Sequence, residues 1–142
     1  MDMIRYMEIP EIDQVMEIWL QSNLEVHSFV NAAFWNDNYD NVKEMMENAN
    51  IYVSVEDGVI QGFAGVTEGY YLAGIFVSKD SRNKGIGKQL LDYIKARYDE
   101  LTLDVYDQNI KAQSFYKREG FVVVETHNDA LVEHTMVWPE TL

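Results

Sequence analysis

The sequence predicts an α/β fold in which a mixed sheet carries helices on both faces. Three observations lead there. Short runs of alternating apolar residues are bounded by turn residues, as in strands. Four other stretches switch to helical spacing. The Asp57-Gly58 pair between two strand-like runs is a strong hairpin signal. At 142 residues and 16.5 kDa the chain is expected to form one domain over residues 1–142.

Residues 3–7 read as a first strand. Pro10 then suits the first turn of a helix that carries Ile12, Val15, Met16, Trp19 and Leu20 on one side. Residues 26–35 have no clear period and read as a loop or a short helix. Residues 38–48 read as a second helix, with Val42, Met45 and Met46 sharing a face. Strands follow at 51–55 and 59–67 around the hairpin turn, and another at 70–77. From Ile86 the period changes, and Ile86, Leu90, Leu91, Ile94 and Tyr98 line one helical face. A strand at 101–106, a helix at 109–119 stopped by Gly120, and strands at 121–126 and 131–138 complete the order.

Composition narrows the function. No apolar run approaches the roughly 18 to 20 residues needed to cross a bilayer, so no membrane partner is expected. The stretch from Met1 to Tyr6 lacks a basic region followed by an apolar one, so no secretory leader is expected, and a cytoplasmic location follows. The absence of cysteine excludes disulfides, thiolate metal ligands and a cysteine-bound acyl intermediate. His27, His127 and His134 show no metal-ligand spacing, and no metal is expected.

The net charge of −13 disfavours nucleic acid as a partner. Its distribution is uneven. Residues 79–118 hold nine of the eleven cations against six acids, leaving +3, while the rest holds two cations against eighteen acids, leaving −16. The pattern suits an anion docking at the basic segment and a cation drawn to the remainder.

The segment from Ile75 to Lys88 runs from an apolar strand through a basic, glycine-containing turn into an amphipathic helix. Gly85 and Gly87 permit close backbone approach, and the first N–H groups of a helix have no internal acceptor. With Arg82, Lys84 and Lys88 around them, they suit a phosphate or pyrophosphate. Gln89 stands where a Walker A loop needs Ser or Thr, and Leu90 where a dinucleotide fingerprint needs glycine, so neither pattern is met.

Arg82-Asn83-Lys84-Gly85-Ile86-Gly87 resembles the Arg/Gln-x-x-Gly-x-Gly/Ala signature of the GNAT superfamily of N-acetyltransferases. The segment from Asn109 through Ala112 and Tyr116 to Gly120-Phe121 resembles that family's Asn-x-x-Ala-x-x-x-Tyr-x-x-x-Gly-Phe motif. The order of elements also follows the family along essentially the whole chain. The sequence is most similar to small bacterial members that acetylate amines, including protein N-termini and lysines.

This resemblance implies a mostly antiparallel sheet that splays between its central parallel strands, here 70–77 and 101–106, with acetyl-CoA as co-substrate in the opening. Ile75, Phe76 and Val77 would meet the pantetheine arm through their backbone. The turn of Arg82, Asn83, Lys84, Gly85, Ile86, Gly87 and Lys88 would hold the pyrophosphate, and Lys117 would reach the nucleotide phosphate. Asn109 would touch the pantetheine arm, and Asn is also among the best helix N-caps. Tyr116 corresponds to the family's general acid, the proton donor to the leaving thiolate. Asp104 lies where some relatives carry a base glutamate. Being shorter, Asp104 would act through a water. His27, Glu68 and the Tyr70-Tyr71 pair are the other candidates for the base.

Transfer would be direct, within a ternary complex, with a backbone N–H of strand 70–77 stabilising the oxyanion. Trp19, His27, Phe29, Phe34, Trp35 and Tyr39 are available to line an acceptor pocket. Residues 1–78 hold two cations against thirteen acids, −11, which would steer a cationic amine. The expected partner is an amine-bearing small molecule or protein: a lysine, an N-terminus or a polyamine. An aminoglycoside acceptor and a non-catalytic acetyl-CoA sensor or scaffold are the competing readings. Relatives are monomers or homodimers.

Overall fold

A computed structural model describes residues 3–140; Met1 and Asp2 of the stretch read for a leader lie outside the described residues. The chain forms β1 (Met3–Tyr6), α1 (Ile12–Val26), α2 (Ala32–Asp37), α3 (Tyr39–Glu47), β2 (Asn50–Glu56), β3 (Val59–Thr67) and β4 (Tyr71–Val77). It continues with α4 (Ile86–Lys95), β5 (Leu101–Tyr106), α5 (Ile110–Arg118), β6 (Val122–Asn128) and β7 (Val132–Trp138). The strands form one sheet in the order β1-β2-β3-β4-β5-β7-β6. Every neighbouring pair is antiparallel except β4 with β5, which agrees with the expected mixed sheet.

Local chemistry accounts for most boundaries. Asp57 and Gly58 both take positive φ, 51° and 79°, the two left-handed residues that let a short turn match the twist of β2 and β3. Pro10 sits in a 3₁₀ turn, Ile9–Glu11, that leads into α1. There Arg5 grips Glu11 with two bonds of 2.8 Å. The segment without a clear period resolves into a break after Val26 followed by the short α2, begun by Asn31, whose side chain accepts from the Ala33 N–H at 2.9 Å. Strand β4 starts one residue later than its apolar pattern suggests, because Tyr70 ends a 3₁₀ turn at φ 59°.

The sheet separates two apolar layers. On one face α4 and α5 cover it, and Leu90, Leu91 and Ile94 are fully buried against Leu72, Leu101 and Leu103. On the other face α1, α2 and α3 bury Val15, Met16 and Trp35 against Ile51, Val53 and Phe63. No helix among the described residues is long and apolar enough to cross a membrane.

Gly62 sets the distance between the first layer and the sheet. A Cβ there would stand 2.9 Å from the Phe76 carbonyl oxygen and 3.2 Å from Cγ2 of Ile86, the first residue of α4. Relief would push the start of α4 off the sheet. Gly62→Ala is therefore expected to lower stability by about 1–3 kcal/mol. The check is a lower urea midpoint with an unchanged slope.

Candidate active site

The two parallel strands share a single registered pair, Tyr71 opposite Thr102. The cause lies in β4. Gly65 pairs with Gly74 and Val66 with Leu72, so Ala73 is an extra residue, and a bulge of this kind bends its strand. Beyond it β4 stays with β3 and β5 stays with β7, and a gap opens between them. The Ser78 N–H donates to the Gln61 carbonyl at 2.8 Å. Strand alternation then directs the Phe76 backbone to β3 and the Ile75 and Val77 backbone groups toward the gap. In agreement, the Val77 carbonyl accepts from Arg82 Nε at 3.3 Å.

The turn after β4 is built from a 3₁₀ turn, Lys79–Ser81, and two left-handed residues, Asn83 at φ 64° and Gly85 at φ 77°. The first internal bond of α4 joins the Gln89 N–H to the Gly85 carbonyl at 3.0 Å. The N–H groups of Ile86, Gly87 and Lys88 therefore have no acceptor within the helix, and no side chain caps it. They add to the positive end of the helix dipole. A Cβ on Gly87 would make only ordinary contacts with Phe115 and Ile75, so packing alone does not demand glycine there.

The cations expected around this turn divide into two groups. Lys84 and Lys117 are exposed. Arg82 is paired with Glu25 of α1 at 2.7 Å, beside a cavity of about 500 Å³ that Gln21, Ser78 and Lys79 also line. The Lys88 ammonium is turned to Glu119 and Asp92, at 3.1 and 3.2 Å, so its backbone N–H is the part that belongs to the turn.

Asn109 caps α5 through Oδ1, which accepts from the Ala112 N–H at 3.1 Å. That fixes its Nδ2 as a donor, and it meets His27 Nε2 at 2.8 Å. On the far side Asn23 Nδ2 donates to the Trp19 carbonyl at 2.9 Å, which leaves Asn23 Oδ1 to accept from His27 Nδ1 at 2.7 Å. Both ends thus impose one tautomer on His27, neutral with its proton on Nδ1. The ring is stacked on Trp35 at 5.8 Å and meets Tyr106 edge-on at 4.9 Å. With both nitrogens engaged, His27 braces α1 against α5 and offers no lone pair to a substrate amine. The sequence showed His27 and Asn109 separately; nothing in it signalled that they meet.

Tyr116 is only 8% exposed and packs on Phe115 and Phe121. Its hydroxyl forms no hydrogen bond among the described residues, yet Trp35 Nε1 is the only enclosed, unpartnered side-chain polar atom there. The Tyr116 hydroxyl therefore meets accessible space, and burial of its ring raises the phenol pKa above its usual value.

Asp104 is exposed on β5 and held from two sides. Tyr71 donates its hydroxyl to Oδ2 at 3.0 Å, and Thr135 of β7 donates to Oδ1 at 2.5 Å. Glu68 is exposed, and Tyr70 lies edge-on to Tyr98 at 6.3 Å. A largely apolar cavity of about 450 Å³ borders the gap from the α1–α3 side, lined by Trp19, Phe34, Trp35, Tyr71, Phe76 and Tyr106 among others. Of the other aromatic residues expected there, Phe29 packs on Tyr106 and Tyr39 on Trp19. Among the described residues no group of His, Asp and Glu is placed to hold a metal ion.

Comparisons with known proteins bear on the family and the fold. A family model described as an acetyltransferase (GNAT) domain matches residues 21–137. The peptidyl-lysine N-acetyltransferase YiaC of Escherichia coli is 36% identical over 141 residues, covering 96% of this chain and 97% of that protein. The peptidyl-lysine N-acetyltransferase YjaB of the same organism is 31% identical over 84% of this chain and 82% of its own. Its apo-form solution structure superposes with a TM-score of 0.84, at 25% identity and covering 97% of each chain. The PaiA N-acetyltransferase of Thermoplasma acidophilum, solved in complex with coenzyme A, shares the fold at a TM-score of 0.84 and 20% identity, covering 96% of this chain and 98% of that one.

The His27 bridge has a pH signature. Burial holds its pKa below the ordinary value of 6.5, since the charged ring is desolvated. The bridge's contribution is full above that value and is lost as pH falls from it toward the depressed folded pKa. The thermal midpoint is expected to fall more between pH 7 and pH 5 in the native protein than in His27→Gln. Parallel thermal scans of the two proteins over that range check this.

Proposed function

The chain belongs to the GNAT family of acetyltransferases, and on that premise we propose that its acceptor is the side-chain amine of a protein lysine. The enzyme is acetyl-CoA-dependent, and the acetyl group passes directly to the amine within a ternary complex, in the cytoplasm, with residues 1–142 acting as one domain. The observation that carries the reading is the meeting of two spaces at Tyr71. The gap between β4 and β5 has the Ile75 and Val77 backbone groups on one wall, and the aromatic-lined cavity opens beside it.

The co-substrate enters as an extended arm against the open side of β4, bonded by the Ile75 and Val77 backbone while Phe76 forms the wall. Its pyrophosphate lies on the turn from Arg82 to Lys88. The N–H groups of Ile86, Gly87 and Lys88 supply donors, Asn83 and Gly85 supply the shape, and Lys84 supplies charge. Arg82 exchanges its Glu25 partner for the phosphate, Lys117 approaches the nucleotide end, and Asn109 contacts the arm from α5. A backbone N–H of β4 stabilises the oxyanion.

The four-carbon lysine stem suits the apolar cavity, whose Trp19 and Trp35 rings offer cation–π contact. A charge of −11 over residues 1–78 draws the ammonium to that side. The amine attacks in its neutral form, Asp104 serves as the base, and Tyr116 protonates the departing thiolate. The raised phenol pKa keeps that proton in place until the thiolate forms.

Thiol release from acetyl-CoA is expected with lysine peptides, ahead of N-terminal peptides, polyamines and aminoglycosides. The protein has no cysteine and contributes no thiol background. Tyr116→Phe should lower kcat about 10²-fold. Raising the salt should raise the KM for the peptide if charge steers it. Calorimetric binding of acetyl-CoA with no release from any acceptor would instead support a sensor or scaffold.

A further inference from the structure

Asp104 carries a short carboxylate, and a phenol stands directly against it. The Tyr71 hydroxyl lies 3.0 Å from Asp104 Oδ2, and Tyr71 also lines the acceptor cavity. It stands at the closed end of the gap, in the one registered pair that joins β4 to β5. We propose that Tyr71 is a catalytic residue whose hydroxyl takes the proton from the acceptor nitrogen while passing its own proton to Asp104. This rests on the acetyl-transfer reading above.

The surroundings are organised for that exchange. Thr135 donates to the other oxygen of Asp104 at 2.5 Å, and the Thr135 hydroxyl lies 2.9 Å from His127 Nε2 on β6. Asp104 is thereby held with one oxygen aimed at Tyr71, and its exposure lets it return a proton to water. Glu133 of β7 is a second negative charge that acts on Tyr71. Burial, together with the Asp104 charge, holds the Tyr71 phenol pKa well above its ordinary value, so the hydroxyl keeps its proton for Asp104 between turnovers. Glu68, exposed and outside the cavity lining, has no comparable placement.

The step balances. The neutral amine bonds to the thioester carbonyl carbon, and its nitrogen becomes an ammonium. That nitrogen loses a proton to Tyr71 Oη as the Tyr71 hydroxyl proton moves to Asp104 Oδ2. The C–S bond then breaks with its electron pair on sulfur, and the thiolate takes a proton from Tyr116. Water removes the proton from Asp104 and restores the one on Tyr116.

The test is thiol-release kinetics with a lysine peptide for the native enzyme, Tyr71→Phe, Asp104→Asn, the double variant, and Tyr71→Phe with Asp104→Glu. Thermal midpoints and calorimetric acetyl-CoA binding accompany each. Tyr71→Phe should lower kcat about 10²-fold, with KM for both substrates within about twofold. The Tyr71→Phe, Asp104→Asn double variant should be no slower than the slower single variant, because both sit on one proton path. Adding Asp104→Glu to Tyr71→Phe should restore at least about tenfold, since the longer carboxylate spans the space the hydroxyl filled. An unchanged kcat in Tyr71→Phe, losses that multiply in the double variant, or no recovery with the glutamate would each overturn the relay. If native enzyme releases thiol while these results fail, the acetyl-transfer reading stands and the relay alone is wrong. Native enzyme that turns over no acceptor overturns both.

Discussion

Everything at this site depends on β4 and β5 being parallel neighbours that remain paired at only one registered position. An ordinary pair would satisfy each strand's backbone with the other and leave no room between them. The extra residue at Ala73 bends β4, and the antiparallel ladders outside hold each strand to a different partner. The sheet is therefore complete on both flanks and open in the middle. Backbone groups that cannot be buried unpaired without a cost of about 1–3 kcal/mol each face that opening. The start of α4, with its own unpartnered N–H groups, lies at the end of the same strand. Both features call for a ligand with hydrogen-bonding groups along its length and negative charge at one end.

The two sides of the opening are tied together by different means. At the closed end, one tyrosine hydroxyl reaches across to a carboxylate. At the α5 end, a chain of polar contacts from the Trp19 carbonyl through Asn23, His27 and Asn109 to the Ala112 N–H links helices on opposite faces. Each donor in that chain has one acceptor, so it holds a single arrangement. Apolar packing in the same place would bring α1 and α5 together without specifying where the Asn109 carboxamide points.

Much of this was legible in the sequence, because local chemistry decides it. Asp57-Gly58 makes its turn where both residues take the positive φ that Asp and Gly tolerate. The stripe from Ile86 to Ile94 is buried as its spacing requires, and Gly85 takes the left-handed conformation that starts the helix after the basic turn. What escaped the reading depends on distant residues. His27 and Asn109 are 82 positions apart, and only the tertiary fold brings the end of α1 to the start of α5. Lys88 belongs to the basic turn by position, yet Asp92 and Glu119 hold its charge. The start of β4 shifted because Tyr70 is drawn into the preceding turn, which apolar alternation does not reveal. Asp104 was expected to work through a water, and the fold puts a tyrosine hydroxyl against it.

The open side of β4 is also an edge inside a sheet. An outer edge strand is a template onto which any extended chain can add, and proteins guard such edges against self-association. Here the edge is recessed between two strands and covered by helices on both faces. A second polypeptide strand needs about 4.8 Å on each side and room for side chains above and below, and this gap closes at the Tyr71–Thr102 pair. An edge recessed inside the sheet in this way is harder for an outside chain to reach than an edge at the rim.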